Sequence, residues 1–241
     1  LFHDSFFNLQ FDRSAGRTGM KASLSGTIKQ PLVDSPISRL NADLFYHILD
    51  STSLDPLLYD GGKYIIGSIV YNKKWKQNNN SSLAFSSGIK IGKEFSRGFL
   101  SASIKHRFTK RIVTNIKFYL SNYFVKRDLP AQYRTYLSGS VDPDFEGNIL
   151  DRTGKSNNIK VLSNLFYYDG PGLRGLILNE LGNPIYSEKM AWAFRIDQEF
   201  PYLPGKIFID MGAISEQEDL FIVSGLHFGP LIIPFYQSWE K

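Results

Sequence analysis

The chain has 241 residues, 42% of them hydrophobic and 15% aromatic, enough for one domain of ordinary to large size. It contains no cysteine, which excludes disulfides, thiolate metal sites and cysteine nucleophiles. The net charge of +5 raises the question of nucleic acid. The bases are scattered, though, and the densest groups, at 72–77 and 105–111, read as solvated turns and strand ends, so no nucleic-acid partner is expected.

The opening stretch, LFHDSFFNLQF, has no initiator methionine, basic start or small-residue cleavage site, and the chain reads as the C-terminal portion of a longer one. No run approaches the roughly 18 apolar residues of a membrane-spanning helix. What recurs along the chain is alternation with period two. Over 20–29, Met20, Ala22, Leu24, Gly26 and Ile28 share one face, and Lys21, Ser23, Ser25, Thr27 and Lys29 the other. Candidate strands follow at 40–50, 63–76 and 82–92. Over 98–108, Leu100, Ala102, Ile104 and His106 oppose Ser101, Ser103, Lys105 and Arg107. Over 112–126, Ile112, Ile116, Phe118, Leu120 and Phe124 oppose Asn115, Lys117, Tyr119, Ser121 and Tyr123. Further candidates lie at 131–140 and 158–168. Over 189–200, Met190, Trp192, Phe194, Ile196 and Phe200 oppose Ala191, Ala193, Arg195, Asp197 and Glu199. The last three candidates are 206–214, 219–228 and 231–239. No long window carries a helical period. The fold class is all-β.

Strands in soluble domains usually run about 5 or 6 residues, and a tilted membrane-spanning strand needs roughly 9–11. Several candidates here run longer than that. Their length, their number and the aromatic residues Tyr71, Trp75, Tyr123, Trp192 and Trp239 near strand ends favour a barrel over a sandwich. The expectation is a single domain over 1–241, an antiparallel transmembrane β-barrel of about 12 strands, closed by itself or as part of a larger barrel. Its greasy faces would meet outer-membrane lipid and its polar faces a wet interior.

The chemistry is sparse. His3, His47, His106 and His227 fit no local metal spacing, and neither H-E-x-x-H nor G-x-S-x-G occurs. The glycine-rich segments join no strand to a helix, so no phosphate cradle is expected. No cofactor, metal or catalytic residue is expected in these residues. Arg195, Asp197 and Glu199, three charges on one strand face, are more simply a hydrated wall than an active site. One feature stands apart: DGPGLRGL, 169–176, spends three glycines and a proline around a single arginine. Arg174 has two readings, an exposed loop residue or a guanidinium folded inward onto the carboxylates of Asp197, Glu199 and Asp210.

The elements Arg174-Gly175-Leu176, Glu199-Phe200-Pro201, Phe208-Ile209-Asp210-Met211-Gly212 and Gly229-Pro230 resemble the C-terminal part of BamA-like surface-antigen outer-membrane proteins. Leu176 stands where that family carries an aromatic residue. The resemblance implies a loop inserted into the lumen, with Arg174 and Gly175 forming a lock against acidic wall residues. A closer likeness, over roughly 80–240, is to the barrel-like tail of Bacteroidota proteins with an aminopeptidase-N-like zinc metallopeptidase region, whose zinc site would lie upstream of Leu1. These resemblances imply the outer membrane of a Gram-negative cell. The leading reading is a barrel region that anchors, or forms a passage for, a larger outer-membrane protein, alongside a periplasmic or extracellular domain of the same chain. The alternatives are an insertase or translocator of client polypeptides, and the membrane anchor of an upstream metallopeptidase.

Overall fold

Residues that alternate in polarity form ribbons with two unlike faces, and such ribbons pair by backbone hydrogen bonds into a sheet. The computed structural model describes residues 2–14, 17–28, 37–49, 60–76, 80–109, 112–137, 170–174, 176, 185–228 and 231–240. Its strands are β1 (Phe2–Ser14), β2 (Arg17–Ile28), β3 (Ile37–Leu49), β4 (Gly62–Lys76), β5 (Ser81–Ile91), β6 (Phe95–Arg107) and β7 (Val113–Lys126). Then come the two-residue β8 (Thr135–Tyr136) and β9 (Tyr186–Ser187), followed by β10 (Met190–Glu199), β11 (Lys206–Ile214), β12 (Leu220–Phe228) and β13 (Leu231–Glu240). Among the described residues the only helical turn is a 3-10 turn at Ala131–Tyr133. The protein is all-β. Eleven strands hydrogen-bond in the order β1 to β7, then β10 to β13, and β8 and β9 pair separately. Neighbours run antiparallel wherever the register is defined, as between β2 and β3 or β11 and β12.

The strand set differs from the sequence expectation in two places. No strand was expected over 2–14, where adjacent Phe6 and Phe7 break the period. That segment is β1, paired with β2 along its length, with an irregularity between His3 and Ser5. Conversely, a strand was expected over 131–140. Among the described residues of that span, 131–137, only Thr135 and Tyr136 form one, because Ala131, Gln132, Tyr133, Thr135, Tyr136 and Leu137 are all buried, with no outward face to alternate. The candidate at 158–168 lies outside the described residues.

Contacts divide the chain into two units, Leu1–Ile104 with Asn122–Ala131, and Lys105–Ser121 with Gln132–Lys241. In the first, the register lines up like with like. Leu24, Ala42, Ile69 and Ile89 form one row across β2 to β5, and Ser23, Asp43, Ser68 and Lys90 form the adjacent row on the opposite face. The greasy row is the exposed one: Leu24 and Ile69 are each more than half exposed.

In the second unit the inversion is sharper. Along β10, Ala191, Ala193, Arg195 and Asp197 are buried, whereas Trp192, Phe194 and Ile196 between them are half-buried. Along β11, Phe208, Asp210, Gly212 and Ile214 are buried, and Ile207 and Ile209 are exposed. Trp192, Phe194, Ile196, Ile207 and Ile209 therefore lie on the more exposed face, and the ionised Arg195, Asp197 and Asp210 on the buried one. Leu137, Leu173, Leu176 and Ile185, from the connection between β7 and β10, pack against Ala191, Ala193, Phe208, Ile214, Phe221 and Val223 to form a dry core on that inner face. Within this unit the connection covers the inner face of its strands.

Candidate functional site

Gly170 and Gly172 of DGPGLRGL have specific backbone duties. Gly170 has φ +150°, and a Cβ there would lie 2.4 Å from the Tyr136 carbonyl oxygen, so only glycine lets the two backbones approach. Gly172 has φ +46°, the left-handed region. The Gly172 and Leu173 N–H groups donate to the carbonyls of Tyr136 (3.3 Å) and Leu137 (2.6 Å), and Leu137 donates to Ile185 (2.9 Å). The Ser121 and Thr135 hydroxyls meet at 3.1 Å and tie the connection to β7. Gly212 opens a seat on the wall: a Cβ there would touch both methyls of Leu173 at 3.4 Å and the Trp192 carbonyl oxygen at 2.7 Å.

The residue carried inward by this frame is Arg174. It is 1% exposed, and the carboxylates facing it, Asp197 and Asp210, are 4% and 0% exposed. Its backbone N–H donates to Asp210 Oδ2 at 2.8 Å, its Nε to the same oxygen at 2.9 Å, and its Nη2 to Asp210 Oδ1 at 2.5 Å. Its Nη1 donates to Asp197 Oδ1 and lies 3.4 Å from His227 Nδ1. Beneath the guanidinium, 4.4 Å from its carbon, is the Phe208 ring. That ring occupies the place of a missing side chain, since a Cβ on Gly225 would come within 2.9 Å of it. A bidentate fork on one carboxylate, an arm to a second and an aromatic floor together fix the arginine in orientation as well as position.

Removing charges from water costs several kcal/mol per ion, so such a cluster persists only if its charges balance and its polar atoms are paired. Arg195 supplies the balance. It sits opposite Asp210 in register, with Nε 3.9 Å from Asp210 Oδ2, and its Nη2 donates to the Pro171 carbonyl. Two guanidinium groups thus face two carboxylates, and Arg195 also grips the backbone of the loop that carries Arg174. Asn115 Nδ2 adds a donor to Asp197 Oδ2 at 3.4 Å. On the loop, burial alone would lower the pKa of Arg174, but its hydrogen bonds and charge contacts with Asp210, and then Asp197, outweigh this and raise it above its ordinary value. Arg174 stays charged.

Of the residues expected at a lock, Arg174, Asp197 and Asp210 are brought together. Glu199 is not with them: it lies at the end of β10, half-buried, 3.7 Å from Lys206 across the strand pair. Gly175 lies outside the described residues. Arg195, expected as hydrated wall, is buried within the cluster. The sequence does not assign His227 and Phe208 to the lock, although the period-two pattern does put His227 on the same face as the buried Phe221, Val223 and Gly225.

The chemistry open to this arrangement is limited. Both carboxylates are engaged by guanidinium groups. Among the described residues no group of three His, Asp or Glu side chains could hold a metal ion. The cluster is built to hold a loop in place. No family model and no curated protein matches the chain.

Proposed function

We propose that this chain is an outer-membrane β-barrel region that anchors, or forms a passage for, a larger outer-membrane protein, with the Arg174 loop locked inside it. The observation that carries this reading is the inverted distribution of polarity. Phe7, Leu24, Ile65, Ile69 and Phe124 are more than half exposed, while Arg174, Arg195, Asp197 and Asp210 are buried. Water would penalise such an exterior, whereas hydrocarbon favours it. Strands of 9 to 15 residues are long enough to cross a bilayer at a tilt. A covered polar face with an ion cluster is what the inside of such a barrel accommodates. Arg174 then acts as a brace, holding the connection between β7 and β10 against the wall.

The test is expression in a Gram-negative host with a secretion signal, followed by fractionation and gel electrophoresis with and without boiling. The expected result is an outer-membrane protein that needs detergent for extraction and migrates faster unboiled than boiled. A monomer that stays soluble without detergent and migrates identically in both samples would refute the reading.

A further inference from the structure

The two units differ in what covers their inner faces. In the second, the face carries the dry core and the ion cluster already described. In the first, the polar face of β2 to β6 carries small hydroxyl and amide side chains: Ser23, Thr27, Asn41, Asn72, Ser86 and Ser101, all half-buried. Residues of this kind cannot form a core, because they bury little apolar area and each polar atom demands a partner. These six side chains are partly open to solvent, whereas Ile66, Ser68, Phe95 and Arg97 on the same face are buried. The charges on this face are also one-sided. Among the described side chains of these strands in this unit it carries the exposed Arg39 and Lys74, the half-buried Lys90 and the buried Arg97 against the single acid Asp43. Register places them together: Asp43 lies opposite Ser68, which lies opposite Lys90, and Arg39 lies opposite Asn72. The Ser68 hydroxyl donates to Asp43 at 3.5 Å, and the Arg97 guanidinium lies 5.8 Å from the centre of the Tyr123 ring.

Resting on the barrel reading above, we propose that this face is the wetted wall of the passage and that it favours small hydrophilic anions, solutes bearing a carboxylate, sulfonate or phosphate. The cations supply the attraction, and the short hydroxyl and amide chains leave room for a hydrated ion and can donate to its oxygens.

The chain has no cysteine, so Ser86→Cys and Ser101→Cys each introduce a single thiol. Folded protein in detergent, verified by its faster unboiled band, would be reacted with anionic and cationic methanethiosulfonates of similar size, each rate being divided by that of a free thiol. Both positions should react, the anionic reagent being favoured by about threefold at low salt. Lys90→Gln in the same background should bring that ratio toward one, and Val223→Cys, on the dry face of the second unit, should resist both reagents. An equal or cation-favouring ratio, or thiols at 86 and 101 as inert as that at 223, would overturn the proposal. Absence of the heat-modifiable band would instead remove the barrel reading beneath it, before any thiol is measured.

Discussion

Arg174 engages two carboxylates that have almost no access to solvent, so its truncation leaves charge behind. In Arg174→Ala, Asp197 and Asp210 would lose the guanidinium, while the backbone N–H of residue 174, Arg195 and Asn115 would remain among their described partners. Breaking a buried ion pair by deleting one member typically costs about 3–5 kcal/mol, and the same loss is expected here. Thermal melting of the detergent-folded protein, followed by loss of the compact gel band, would measure it; a variant that melts with the parent would show that the lock contributes nothing to stability. Arg174→Lys should recover only part of the loss, since a single ammonium cannot form the fork that spans both oxygens of Asp210 while reaching Asp197. The sequence showed the arginine and marked its loop as special through the glycines. It could not show that Glu199 falls outside the cluster while Arg195 and His227 fall within it. Those memberships depend on how far along β10 and β12 the loop lands, a distance that spacing in the chain does not encode.

Each ribbon has one apolar, exposed face and one polar or packed face, and substitutions on the apolar face report what covers it. Ile69 is 52% exposed and lies between Ala42 and Ile89 in its row. If water covered it, Ile69→Arg would be a surface change worth no more than about 0.5 kcal/mol. Against lipid near the midplane the same change should cost about 2–4 kcal/mol. Equilibrium unfolding in urea from lipid vesicles distinguishes the two, and a near-zero difference would count against lipid contact at this row. Strand identity was legible wherever alternation was clean: the period gave 206–214 to the residue, and 219–228 and 231–239 within one. It failed at β1, where Phe6 and Phe7 stand side by side, and at 131–140, where six of the seven described residues, 131–137, are buried without alternation. A periodic pattern reports two unlike environments, and a tucked-in connection meets only one.

For the whole molecule, the net charge of +5 offers a competing account of any membrane association, electrostatic adsorption to anionic surfaces. Salt separates the two. Adsorbed protein should leave membranes at 1 M salt, where the screening length falls to about 3 Å, whereas a barrel held by apolar rows should remain in the pellet through both high salt and alkaline carbonate. Release by salt alone would favour adsorption.

By itself, the sequence determined that the chain is all-β, that its strands are long, and which residues share a face, because side chains alternate strictly across a ribbon and polarity marks the alternation. Only the tertiary structure decided which face points inward. A greasy row and a polar row look the same in the chain whether the greasy one is sealed in a core or turned outward. The direction became visible once Arg174 was seen packed against Asp197 and Asp210, with Ile207 and Ile209 left on the outside.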